Sequence, residues 1–326
     1  MLHIVRAIAA GLSAIAMFAS APVHAQVYPA KQIRLVVPYP AGGGTDFFAR
    51  TVGAQLASQI GQPVVIENRP GPATIVGAEA VAKSPADGYT LLLGDTATFA
   101  VNPTLYKKLP YDPIRDFAPI SMTGRFALLL VVNPSRLAVT SVRSLIDEAK
   151  KSPGRIDFAS PGQGSPHHLA MEMFKQRTET QFTHVPYKGA APAVQDMLGG
   201  QIPLMFLDLA TGAPHLKAGK LRALAVASDK RIAALPDLMT VGEAGVAGFE
   251  AWAWQALVVP SATPSEIVSR LNAEFRKAIN TPEIRQKLID FGIDPLQSSP
   301  QDASAYFRSE TAKWAKVIAD GRISVE

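Results

Sequence analysis

Cysteine is absent from the 326 residues, so the chain carries no disulfide, no Cys-ligated metal and no lipid attached through an N-terminal cysteine. A Lys/Arg-rich tract interleaved with aromatics is also lacking. The 32 basic residues outnumber the 27 acidic ones, for a formal net charge of +5. They are scattered, as at Lys107-Lys108, Lys150-Lys151 and Lys230-Arg231, a pattern that gives nucleic-acid binding no support. Beyond the N-terminus no apolar run approaches the roughly 18 residues of a membrane span. The stretches 91–93 and 128–132 have only strand length. No Gly-x-Ser-x-Gly elbow marks a serine nucleophile. No Walker Lys-Ser/Thr follows a Gly-rich turn, which argues against nucleotide triphosphates. The dinucleotide fingerprint fails as well, because Phe47 and His167 stand where its third glycine belongs.

The N-terminus has a different character from the rest. Arg6 ends a short basic region, an apolar stretch runs from Ala7 to Ala19, and Val23 and Ala25 put small residues where a signal peptidase reads. Residues 1–25 are therefore expected to be a cleaved export signal, and the mature protein to be free in the periplasm. Loss of Arg6 lowers the formal charge from +5 to +4, a weak field compatible with anionic solutes. About 300 residues remain, enough for two domains of ordinary size.

Short β-branched runs alternate with amphipathic helices along that length. Strands are expected at 33–37, 64–66, 90–93, 127–132, 155–159, 182–185, 202–207 and 223–227. The helix opening near Asp46 repeats Phe48, Val52, Leu56 and Ile60 every four residues and stops at Gly61. Further helices are expected at 141–151, 166–177 and 191–198. This is the βαβ rhythm of a sheet with helices on both faces. The last third is more helical. Thr263-Pro264-Ser265-Glu266 reads as a capping box, and Thr281-Pro282 and Ser299-Pro300 as further helix starts. After an irregular segment at 102–119, the chain is expected to cross between lobes near 123–127 and to return near 248–257. A double crossing makes a hinge, and a hinge between two α/β lobes makes a cleft. Residues 26–124 with 252–326 would form one lobe and 125–251 the other.

Two loops at strand-to-helix junctions carry candidate chemistry. In Tyr39-Pro40-Ala41-Gly42-Gly43-Gly44-Thr45-Asp46 three glycines let the backbone approach a bound group closely. In Ser160-Pro161-Gly162-Gln163-Gly164-Ser165, the last residue is a natural N-cap before Pro166. Helix N-termini favour anions by about 0.3–1 kcal/mol, and ligands of open α/β sheets bind at the carboxyl ends of strands. Two such termini across a cleft would suit a small carboxylate. Each loop alone is equally compatible with simple chain reversal. His167 and His168 diverge by about 100° on a helix and cannot easily chelate one metal. His184 and His215 have no carboxylate at ligand spacing, so no metal or cofactor is expected. Asp46, Asp95 and Asp208 either cap and brace loops or bind a ligand ammonium or hydroxyl. Capping is the reading for Asp46, while Asp208 stays open. An enzyme using His168 with Asp46 or Asp208 rests only on polar residues near a cleft.

Ordered motifs over the whole mature chain then add a resemblance. PYPAGGGTD, NRPG at Asn68–Gly71, DGYTLLLG at Asp87–Gly94, NPTLYKKLPYDPIRDFAPI at 102–120, ASPGQGSPHHLA at 159–170 and HVPYKGAAPAVQDMLGGQI at 184–202 are similar to the Bug-type solute-binding proteins. These are the extracytoplasmic receptors of the tripartite tricarboxylate transporter family. The resemblance implies a type II periplasmic-binding-protein-like α/β fold, with two lobes that close on a ligand. It implies no catalysis and a monomer outside the membrane. Its partners would be a small carboxylate (an organic acid, dicarboxylate or amino acid) and either membrane transporter subunits or a sensor kinase. Carried over by motif, the ligand-binding candidates are Tyr39, Gly42, Gly43, Gly44, Thr45, Asp46, Thr96, Ser160, Pro161, Gly162, Gly164, Ser165 and His168. Tyr187, Gly189 and Ala190 join them from HVPYKGA, and Asp208 is the selectivity candidate. Pro72, Thr74 and Val76 depart from the small residues usual after NRPG, and Asp95 and Phe99 depart after DGYTLLLG. Phe99 is read as a contact for an apolar part of a ligand.

Overall fold

The apolar runs become strands and the four-residue repeats become helices, in nearly strict alternation. The computed structural model describes residues 28–321 and 323–324; the expected export signal lies outside them. The chain opens with β1 (Ile33–Val37), α1 (Gly44–Ile60), β2 (Val64–Asn68), α2 (Ile75–Ala82) and β3 (Thr90–Asp95). A π-helical turn (Ala97–Val101) and the short α3 (Asn102–Leu105) lead into the long β4 (Phe117–Val132). Next come α4 (Val142–Lys151), β5 (Asp157–Ser160), α5 (Pro166–Thr178), β6 (Thr183–Pro186) and α6 (Ala190–Leu198). They are followed by β7 (Leu204–Asp208), α7 (Leu209–Lys217), β8 (Arg222–Val226) and β9 (Trp252–Pro260). The chain closes with α8 (Ser265–Ile279), α9 (Pro282–Asp290), β10 (Ile293–Pro295) and α10 (Pro300–Asp320).

Among the described residues the strands form one ten-stranded mixed sheet in the order β2-β1-β3-β9-β4-β7-β5-β6, with β8 and β10 also pairing β4. The β4 strand organises it. Residues 117–127 pair β9, and 124–126 also take β10. Residues 128–132 pair β7 and β8 instead. One strand thus serves two sets of neighbours, and residues 123–127, where a crossing between lobes is expected, lie within it. Its first three residues, Phe117 to Pro119, end the segment expected to be irregular. Pro119 is tolerated because the register shifts between Pro119 and Ser121, a bulge where a missing N–H breaks no ladder bond. From Lys31 onward the chain clusters as one compact unit.

Local rules explain most boundaries. In α1, Phe48, Val52 and Leu56 are buried, and Gly61 ends the helix at φ 68°, a conformation glycine adopts without a Cβ penalty. Ser165 and Ser299 accept from His168 and Asp302 backbone N–H groups as N-caps. The capping box expected at Thr263 does not form. Its hydroxyl donates back to the Pro260 carbonyl at 2.7 Å, and α8 starts at Ser265 without a side-chain cap. A capping box is found instead at Ser141 and Ser144. Phe99 is another correction. It is fully buried and stacks on Phe307 at 4.5 Å, so its ring belongs to the core between the π-helical turn and α10.

That core carries a buried carboxylate. Glu310 Oε2 accepts from the indole N–H groups of Trp254, at 2.7 Å, and Trp314, at 3.0 Å, tying α10 to the strand that carries Gln255. Glu310→Ala strands two buried donors, each costing about 1–3 kcal/mol when unsatisfied. Urea titration should therefore show a loss of about 3 kcal/mol or more, with Glu310→Gln losing less because its amide oxygen can still accept.

Candidate functional site

The loop after β1 is held from behind. Gly42, at φ 90°, donates its N–H to Asp46 Oδ2 at 3.0 Å, and Arg50 Nε donates to the same oxygen at 3.0 Å. Asn68 Nδ2 reaches both Asp46 Oδ1 and the Tyr39 carbonyl, each at 3.0 Å. Burial pushes the Asp46 carboxyl up, but the bonds from Arg50, Gly42 and Asn68 outweigh it and hold the group below the usual carboxylate range. This carboxylate braces the turn and lies behind it. A helix leaves its first N–H groups without intrahelical partners, and α1 begins after Gly43 with no side-chain cap. Its first residues therefore present unpaired donors in front.

A second helix does the same. The α6 N-cap is Gly189, at φ 123°, again with no side-chain cap. Its own N–H is fixed to the Pro161 carbonyl at 2.9 Å. A Cβ added there would stand 3.2 Å from Pro40, so the two loops pass each other at close range. Both helix starts line one cavity: Gly43, Gly44 and Thr45 from α1, and Gly189, Ala190 and Ala191 from α6. By contrast, Ser165 already caps α5, and Asp208 Oδ1 caps α7 through the Thr211 N–H and hydroxyl, both at 2.9 Å.

Of the candidates read from the sequence, Tyr39, Gly43, Gly44, Thr45, Pro161, Gly189, Ala190 and Asp208 reach the cavity wall. The others stand behind or beside it. Thr96 is buried against the Trp254 backbone, accepting its N–H at 3.1 Å. Ser160 bonds Gly162 and His184. The His184 ring stacks on His168 at 3.9 Å and on Phe158 at 4.8 Å. Burial drives His184 down to about 3, so it stays neutral. His168 Nδ1 accepts the Gly164 N–H at 3.1 Å. Gly162, at φ 150°, approaches the Tyr187 carbonyl, and the Tyr187 hydroxyl turns away to Asp196 at 2.7 Å. The second loop is thus held by its own bonds.

The wall also contains Asp95, which the sequence offers either as a loop brace or as a ligand contact, together with Phe126, His167 and Gln255, which are not among the ligand-binding candidates. Because adjacent helix positions diverge, His168 enters the stack and His167 faces the cavity; that much was available from the sequence. Gln255 had no local signal. It is brought in by pairing of β9 with β3, which sets it beside Asp95.

The polar groups of the wall divide sharply. Asp95 accepts from the Tyr39 hydroxyl at 2.6 Å and from the Thr98 N–H and hydroxyl at 3.1 and 2.9 Å. Burial still raises its pKa, and burial next to this carboxylate raises that of Tyr39. Gln255 Nε2 donates to the Thr45 hydroxyl, while its buried Oε1 and both ring nitrogens of His167 have no hydrogen-bond partner. His167 Nε2 stands 3.7 Å from Asp208 Oδ2, too long for a hydrogen bond but close enough to attract. Burial alone would raise the Asp208 carboxyl; His167 and Thr211 together hold it lower. No lysine or arginine is among the described residues of the wall.

Comparison with known proteins gives this geometry a context. Residues 48–322 match the model of the tripartite tricarboxylate transporter family receptor. Protein BugT of Bordetella pertussis is 37% identical over 302 residues, covering 92% of each chain. An adipate-bound protein of R. palustris superposes with a TM-score of 0.88 at 39% identity, over 91% of this chain and 99% of that one. MatC of Rhodopseudomonas palustris, solved with malate, gives 0.84 at 30% identity, over 89% and 100%. The mixed α/β architecture is that of periplasmic solute-binding proteins.

The Asp46 brace has a pH signature. Its pKa is lower in the folded chain than unfolded, so its stabilisation is complete above an unfolded value of about 3.9. It is lost as pH falls through the folded value. Asp46→Asn should lower stability at pH 7 by about 1–3 kcal/mol, with the gap to wild type narrowing below about pH 4. Thermal unfolding across pH measures this; an unchanged gap at low pH would show that charge is not what holds the loop.

Proposed function

The chain belongs to the receptor family of the tripartite tricarboxylate transporters, and on that premise we propose that it captures a small carboxylate outside the cytoplasmic membrane and delivers it to membrane transporter subunits. The observation that carries this reading is the opening of two uncapped helix N-termini into one cavity. Each terminus is equivalent to roughly half a positive charge, and its amides can grip carboxylate oxygens without any cationic side chain. Adipate and malate in two structural relatives support the ligand class.

Capture and release would follow from the two sets of neighbours on β4. In this reading the described residues of 26–124 and 252–326 make up one lobe and those of 125–251 the other, with β4 and β9 as the connections. The ligand joins α1 on the first lobe to α6 on the second, and closure presents a new surface to the membrane partner. Cleavage of the export signal expected at 1–25 would leave the receptor in the periplasm. No helix of the described residues is long and apolar enough to cross a membrane.

The reading is tested by thermal shift over a panel of organic acids, followed by calorimetry and mass spectrometry of the recovered ligand. Ligand at about 100 times its dissociation constant should stabilise the protein by roughly 2.7 kcal/mol, and it should be recovered chemically unchanged. A panel in which no carboxylate stabilises the protein would reject the proposal. Gly189→Val should abolish binding, because any side chain at φ 123° is strained and meets Pro40. Wild-type affinity in that variant would remove α6 from the site.

A further inference from the structure

The cavity proposed to take an acid has more acidic than basic side chains in its wall. Its wall carries two buried carboxylates, Asp95 and Asp208, against one histidine and no lysine or arginine among the described residues. The two acids are not equivalent. Asp95 is enclosed by three donors from the protein itself. Asp208 places both of its hydrogen bonds, from Thr211, on Oδ1. Its Oδ2 has only the attraction of His167 Nε2 at 3.7 Å. A carboxylate has about four lone-pair sites, so Oδ2 can still accept a hydrogen bond from a ligand in the cavity.

Position makes the free oxygen informative. A Cβ added at Gly44 would stand 3.0 Å from Asp208 Oδ1, so this carboxylate lies against the first residue of α1. That is beside the terminus proposed to hold the ligand's own carboxylate. Two carboxylates side by side in a site of low dielectric repel strongly. A hydrogen-bond donor on the ligand, attached to the carbon that bears its carboxylate, resolves the conflict. By ordinary bond lengths such a group lies on the order of 3 Å from the carboxylate oxygens, so it can reach Asp208 while the acid stays on the helix terminus.

We infer that Asp208 is the specificity residue of the site and that the ligand is an acid substituted beside its carboxylate by a donor group, an α-amino or α-hydroxy acid. This rests on the carboxylate-receptor reading and narrows it. An ammonium fits the charge balance best, since it makes the ligand pole facing Asp208 positive. A hydroxyl supplies the same hydrogen bond without the charge. An unsubstituted dicarboxylate sets a second negative group beside Asp208 and gives Oδ2 no hydrogen-bond donor of its own. Sites built to bond a ligand donor discriminate strongly against analogues that lack it.

The test is calorimetry on matched series that differ only in the substituent: alanine, lactate and propionate; aspartate, malate and succinate; glutamate, 2-hydroxyglutarate and glutarate; 2-aminoadipate, 2-hydroxyadipate and adipate. Wild-type protein should bind the amino or hydroxy member of its preferred series at least tenfold more tightly than the unsubstituted acid; which member is tighter identifies the donor. Asp208→Asn should lose most of that ratio. Asparagine is itself a good N-cap, so α7 should persist, and an unchanged far-ultraviolet circular dichroism spectrum confirms the fold. Equal binding of the unsubstituted acid overturns the inference and leaves the carboxylate-receptor reading standing. A preference that survives Asp208→Asn overturns the role of Asp208. Absence of binding across all four series removes both readings.

Discussion

A helix N-terminus that no side chain caps must find acceptors outside the helix, and much of the cavity is arranged around two such termini. Of the helix starts around the cavity, α5 and α7 are capped from within, by Ser165 and Asp208. Those of α1 and α6 are not, and both begin after a glycine. Leaving donors open requires the loops to be held by other means. Asp46 supplies this for the first loop by bonding Gly42 and Arg50 from behind. The Pro161 carbonyl does so for the second by taking the Gly189 N–H. Each brace fixes its turn while leaving the front of the terminus available.

The surrounding core serves the same end. The Trp254–Glu310–Trp314 bonds and the Phe99–Phe307 stack fix β9 against α10. Gln255 is therefore placed by packing well away from the cavity. On the other side, the Phe158–His184–His168 stack supports the 160–165 turn. Its central imidazole, kept neutral by burial, serves as a flat packing element and a hydrogen-bond partner for Ser160. His168 and Asp46, which a competing enzyme reading of the sequence would use, each accept a backbone N–H of their own loop.

Much of the alternation was legible because apolar runs and four-residue repeats survive in β1, α1, β5, α5 and β7. The helices α2 and α7 were not read. The α7 segment contains Gly212 and Pro214, which weaken a helical pattern, and only the tertiary environment makes it one. At the site, the glycine loop before α1 was legible by composition. The 160–165 loop was legible as a turn, but the strong N-cap of Ser165 satisfies that helix internally, so its residues mostly stand behind the cavity. The uncapped start at Gly189 carried less sequence signal because it lacks a capping side chain. Asp95 and Gln255 share the wall through long-range register between β3 and β9, which no local pattern encodes.

The most direct measurement follows the backbone amides of Gly43, Gly44, Thr45, Gly189 and Ala190 by heteronuclear NMR as a bound carboxylate is titrated in. If the two open termini hold the acid together, the amides of both helices shift with one common dissociation constant, while those of the capped α5 start move little. Shifts confined to one terminus, or to neither while the ligand still binds, would contradict a carboxylate gripped between α1 and α6.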